Sequence, residues 1–197
     1  KIKIPSFITK IGNDAFISCS NLEEVIFHDN VKDIGVRSFE DCTSLKTISL
    51  PSIKVIRIAI FRDCASLENI TIPSSVTIIE KNAFDNCESL KMIKIPSSVT
   101  TIDNGAFSKC SSLEKIELPP SLEVINNTIF QNCSSFTGSL VIPTKVQFIR
   151  SYSFSNCYGF NGYLVIPSNV MSIDICAFEN CANLKGNLTI PDSVNNI

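Results

Sequence analysis

No tryptophan occurs in the 197 residues, and histidine occurs once, as His28. Nucleophilic catalysis needs a Ser or Cys beside a His and a carboxylate. His28 stands alone, in a slot that proline holds elsewhere, and reads as a turn residue. The seven glycines form no phosphate-binding loop, and the carboxylates are scattered singly. Neither enzymatic activity nor a cofactor is expected. No Cys-x-x-Cys pair is present, which removes the usual zinc patterns, so no metal site is expected. Charged residues make up only 18%, with 17 Lys and Arg against 19 Asp and Glu. A nucleic-acid binder working through phosphates needs a basic face, and that balance does not supply one. No apolar run approaches the ~18 residues of a membrane-spanning helix. The chain opens on no leader of the signal-peptide kind. With 44% hydrophobic residues, it is also too apolar to remain disordered.

What is present is a repeat. Phe-x-x-Cys occurs at Phe16, Phe39, Phe61, Phe84, Phe107, Phe130, Phe154 and Phe178, in steps of 23, 22, 23, 23, 23, 24 and 24 residues. Proline keeps the same beat from Pro5 to Pro191, with His28 in the one missing slot. Residues 67–87 show a full unit: Leu67-x-x-Ile70-x-Ile72-Pro73-x-x-Val76-x-x-Ile79-x-x-x-Ala83-Phe84-x-x-Cys87. Its first part alternates as a short strand does, with Ile70 and Ile72 on one face. Pro73 has no N–H to donate and ends the pairing. Val76 and Ile79 turn inward, and Ala83, Phe84 and Cys87 close the opposite wall, as a 3₁₀ turn or a short strand. One unit cannot bury its own apolar side, whereas stacked units cover one another. The expectation is a β-rich solenoid of about nine coils of 22–24 residues, with a parallel sheet on one side and ladders of Phe and Cys inside. At ~4.8 Å per coil the rod is on the order of 40 Å long.

The strings IPSSVTIIEKNAFDNCESLKMIKIPSSVTTIDNGAFSKCSSLEKIELP and FNGYLVIPSNVMSIDICAFENCANLKGNLTIP resemble BspA-like leucine-rich repeats, the Treponema-pallidum-type class. The resemblance spans essentially residues 1–197, read as one domain and as a segment of a longer repeat array. It implies a right-handed leucine-rich-repeat solenoid. It also implies a protein that is surface-displayed or secreted and adheres to matrix, host-cell or microbial partners. The alternative is a cytoplasmic scaffold or self-assembling repeat protein.

Eight of the nine cysteines share one repeat position beside Phe, where Cys acts as a small buried hydrophobe. Bridging stacked neighbours would distort every second coil, so free, buried thiols are expected. Cys176 lies off that ladder, in the slot of Asn82 and Gly105, and is the candidate for an exposed thiol. Strand residues between the core positions face outward. One column reads Lys3, Ile26, Ser49, Thr71, Lys94, Glu117, Val141, Val165, Thr189. The column before it reads Lys1, Glu24, Thr47, Asn69, Met92, Lys115, Ser139, Tyr163, Asn187. Residues 136–197 carry only three Lys and Arg and three Asp and Glu, yet hold all three tyrosines, Tyr152, Tyr158 and Tyr163. Low charge with exposed Tyr is the composition of an interface core. Ser139, Val141, Tyr158, Tyr163 and Val165 are therefore the candidate partner-binding residues. The extra residue at Gly138, Gly162 and Gly186 reads as a bulge. Sequons fall at Asn69, Asn126, Asn132 and Asn187, two of them on the sheet. Ile2, Ile4 and Ile8 form an apolar cross-section in the first coil, through which a homodimer is expected.

Overall fold

A computed structural model describes residues 1–197 and contains no helix. The first strands are β1 (Ile2–Lys3), β2 (Lys10–Ile11), β3 (Glu24–Ile26), β4 (Asp33–Ile34), β5 (Thr47–Ser49), β6 (Val55–Ile56) and β7 (Asn69–Thr71). They are followed by β8 (Ile78–Ile79), β9 (Thr101–Ile102), β10 (Val124–Ile125), β11 (Leu140–Val141), β12 (Phe148–Ile149), β13 (Leu164–Val165) and β14 (Ser172–Ile173). Every pairing is parallel, between one coil and the next. The solenoid makes about seven turns, fewer than the nine coils expected.

The strands form two columns rather than a sheet on one side alone. The outer column holds β1-β3-β5-β7 and, after a gap, β11-β13. The second column holds β2-β4, β6-β8-β9 and β10-β12-β14, built on the Val76-x-x-Ile79 part of the repeat. Identical positions superpose: Ile48 faces Ile70, and Ile149 faces Ile173. The last coil departs from the repeat, since Tyr163 pairs with Lys185 and not with Asn187.

The Ala-Phe wall is neither a 3₁₀ turn nor a strand. It is a stack of turns in which two residues per unit, four apart, take left-handed φ, as at Asn82 (54°) and Asn86 (63°). Between them, alternate amides reach the next coil: Asn82 N to Asn104 O at 3.1 Å, Phe84 N to Ala106 O at 2.8 Å, Asn86 N to Ser108 O at 2.8 Å. Asn, Asp and Gly tolerate that φ. Arg37, Ala59, Thr128 and Tyr152 adopt it as well, because the ladder holds them there. Among the extra glycines, Gly138 and Gly186 have left-handed φ. Gly162 instead presses on Ser139, where a Cβ would sit 2.4 Å from Oγ.

Inside, consecutive Phe rings of the wall stack at 5.1–5.8 Å from Phe16 to Phe178. Phe39 through Phe154 are fully buried, while Phe16 and Phe178 are partly buried. Phe136 and Phe160 stand where Leu90 and Leu113 stand in other coils. They add a second stack at 4.8 Å, edge-on to the first.

All nine thiols are free. From Cys42 to Cys181, each ladder Sγ donates to the Phe carbonyl one coil back at 3.1–3.2 Å. That carbonyl already accepts a backbone N–H, as Phe39 O does from Cys42 N. Cysteine thus supplies a small apolar body and a donor for the carbonyl's second lone pair. A disulfide would remove the donor. Burial pushes these thiols up, to about 12 at Cys42 and about 11 at Cys181. Cys19, in the first coil, is only half-buried.

Candidate functional site

The outer strand column positions four of the five candidate binding residues together. Val141 in β11 pairs with Val165 in β13, and Leu140 N donates to Tyr163 O at 2.9 Å. Ser139 Oγ accepts from Tyr163 N at 2.9 Å, which ties the two strand approaches. Strand alternation buries Leu140 and turns its neighbours outward. Val141 and Tyr163 are each 63% exposed and Val165 is 52% exposed. An edge of the Tyr163 ring lies over Gly186, where any Cβ would sit 2.6 Å from a ring carbon. Glycine at 186 is what lets the ring occupy that place.

Tyr158 does not join this strip. It sits at the corner after Cys157, where its hydroxyl donates to Asn156 Oδ1 at 2.9 Å. Asn156 belongs to a side-chain ladder on the wall with Asn132 and Asn180, at 2.8 and 2.7 Å. Tyr152 is exposed on the wall beside Cys176, itself exposed as the repeat position predicts. Ile175 is exposed there too, an apolar position that column reading of the strands overlooks.

Charge separates this strip from the earlier coils. Lys1 pairs with Glu24 at 3.0 Å on the same strand column. Lys10, Asp33, Arg57 and Glu80 form a continuous ion ladder over four coils, at 3.2, 3.4 and 3.6 Å. Partial burial alone would raise the Asp33 carboxyl, but Lys10 and Arg57 outweigh it and hold the pKa below its usual value. No ion pair involves residues 136–149 or 151–173.

His28 is exposed, and its carbonyl accepts from Val31 N just as Pro73 O accepts from Val76 N, so it serves as a turn residue. Asn69 and Asn187 are exposed. Asn126 instead commits Nδ2 to Ile102 O at 2.7 Å, and Asn132 is held in the wall ladder. Ile2 and Ile8 are half-buried and Ile4 is buried. All three line an open hollow of about 350 Å³ with Ile11 and Phe16.

Comparison with known proteins agrees with this architecture. The family described as BspA type leucine rich repeat region matches in six copies, over residues 1–59, 47–161 and 162–197. A leucine-rich repeat protein from Bacteroides ovatus is 31% identical, with a TM-score of 0.90 over 98% of this chain and 52% of that one. The chain thus spans about half the length of that relative. The Treponema pallidum leucine rich repeat protein is 26% identical, with a TM-score of 0.66 over 93% of this chain and 77% of that one. The pneumococcal vaccine antigen PcpA shares the fold at 22% identity, with a TM-score of 0.62 over 98% of this chain and 51% of that one. No curated protein matches significantly. With its repeat, its stacked ladders and these matches together, the chain belongs to the BspA-type leucine-rich repeat family.

Proposed function

We propose that the chain is a non-catalytic adhesion module, displayed on a cell surface or secreted, that binds a host-cell, matrix or microbial protein. A leucine-rich repeat solenoid is a scaffold for protein interaction, and its extended faces are where partners dock. The contact region is the strip Ser139, Val141, Tyr163 and Val165. One observation carries this choice: Val141, Tyr163 and Val165 are each more than half exposed on the face of the paired strands β11 and β13, which themselves hold no charged residue. Tyrosine offers large contact area at low entropic cost. The test is binding to immobilised matrix proteins and host-cell surfaces, with variants. Tyr158→Ala/Tyr163→Ala is expected to keep its fold and lose at least ~10-fold in affinity, an effect typical of a hot spot. Tyr163→Ala alone accounts for most of that loss, because Tyr158 lies off the strip. Unchanged binding moves the site to the charged coils of residues 1–135.

The hollow at Ile2, Ile4 and Ile8 favours a second reading, self-association of two copies through that end. Two like ends close a two-fold dimer, whereas unlike ends propagate a filament. Light scattering across a concentration series is expected to show a dimer at high micromolar chain, dissociated by Ile2→Lys or Ile8→Lys. Ile4 is buried and a charge there would unfold the coil instead. A strict monomer at that concentration removes this reading.

A further inference from the structure

Backbone pairing is uneven around the solenoid. Along the outer column, the four-stranded sheet ends at β7, and regular pairing resumes only at β11. Between them stands the single bridge Met92–Lys115. None of the backbone N–H groups of residues 91–95 or 115–118 donates a well-formed hydrogen bond to another backbone carbonyl. Open hollows of about 550 and 430 Å³ lie along this stretch, the first between Thr71 and Lys94 and the second between Lys94 and Lys115, against about 310 Å³ over the paired β3-β5-β7 face. The second column breaks twice, between β4 and β6 and again between β9 and β10, and only the second break falls in the same region as the gap in the outer column. In the preceding coils, Glu80 N and Asp103 N bond the carbonyls of Ile56 and Ile79 at 2.8 and 2.9 Å. At the next step the side-chain amide of Asn126 takes over, reaching Ile102 O at 2.7 Å. The wall, in contrast, is bonded through the whole region, with Phe84 N to Ala106 O at 2.8 Å and Phe107 N to Ile129 O at 3.0 Å.

We infer that residues 91–126 form a flexural hinge, with the wall as its spine and the two sheet blocks, β1-β3-β5-β7 and β11-β13, as the bodies that swing. Ile93 and Ile95 are buried although their strands are unpaired, so the core does not oppose closure. Open and closed states differ in whether the free amides bond water or the neighbouring strand. Such an exchange is close to balanced, because an intramolecular hydrogen bond replaces one to water. Closure would join both blocks into one continuous sheet. The hinge therefore sets the angle between the charged face of residues 1–71 and the strip of Ser139, Val141, Tyr163 and Val165.

Two measurements on the whole chain test this. The first is amide hydrogen exchange. Residues 91–95 and 115–118 are expected to exchange at least ~100-fold faster than Phe84, Phe107 and Phe130, since unbonded strand amides open locally. The second is spin-label distance distributions between sites two coils apart, in a Cys19→Ala/Cys176→Ser background that leaves only the sealed ladder thiols. The pair Thr71→Cys/Glu117→Cys spans the gap. Lys3→Cys/Ser49→Cys lies in the paired sheet, and Lys81→Cys/Asn127→Cys lies on the wall. The gap pair is expected to be broader than both references, and broader still with Asn126→Ala. Equal protection of the strand and wall amides overturns the hinge. So does a gap distribution as narrow as the references, which would mean that the strands are unpaired but rigid.

Discussion

Raising the pH from 8 to 10 is expected to unfold the chain cooperatively. Burial is the main cause that pushes the thiols of Cys64, Cys87, Cys110, Cys133 and Cys157 far above their ordinary value. Charge on a neighbouring ladder sulfur would push four of them further. In the unfolded chain the same thiols ionise near ~8.5. A group whose folded pKa is raised contributes stability that is complete below the unfolded pKa and falls as pH rises toward the folded one. Each such thiol removes about 1.4 kcal/mol per pH unit in that window. Five together remove about 7 kcal/mol per unit, against a total of roughly 5–15 kcal/mol for a typical domain. Denaturant melts at pH steps between 7.5 and 10 measure this. The midpoint is expected to hold to about 8.5 and then collapse, with Cys110→Ala lowering the slope by one thiol's share. A midpoint constant to pH 10 would show that the ladder sulfurs reach solvent.

Phe107→Ala is expected to cost about 3–5 kcal/mol, the range for emptying a large aromatic site in a core. Phe107 is fully buried and stacked 5.1 Å from Phe84 and 5.6 Å from Phe130. Its backbone bonds survive truncation, so the loss is one of packing and cavity. Because each coil touches only its neighbours, a cavity in the middle also divides the stack. The urea melt is expected to broaden or separate into two transitions. Phe16→Ala, at a half-buried end position, is expected to cost clearly less. A loss under ~1 kcal/mol at Phe107 would place the ring outside a well-packed core.

Much of this architecture is legible in the sequence because burial writes itself into residue type at a fixed period. Phe, Cys, Leu and Ile recur every 22–24 residues, and those positions are the core. Exposed Val141, Tyr163 and Val165 are legible too, since strand alternation places them opposite buried Leu140. Tyr158 is not, because it falls at a corner where alternation does not apply. The left-handed wall residues escape notice for a different reason. Asn82 and Asn86 hint at them, but Arg37, Ala59, Thr128 and Tyr152 have no such preference and are held by bonds to the next coil. The gap in the outer column leaves no trace at all. Lys91-Met92-Ile93-Lys94-Ile95 carries the same pattern as the paired Glu68-Asn69-Ile70-Thr71-Ile72. Pairing between coils depends on how each backbone lies against its neighbour, which a residue pattern within one coil does not encode.

Equal repeat positions are stacked into one sealed interior. Thiol counting tests it most directly. With a small alkylating reagent at neutral pH, the native chain is expected to label Cys176 rapidly and half-buried Cys19 slowly, and no other cysteine. In denaturant and without reductant, all nine are expected to react. Rapid native labelling of several among Cys42, Cys64, Cys87, Cys110, Cys133, Cys157 and Cys181, or fewer than nine thiols after unfolding, would contradict the stacked ladder.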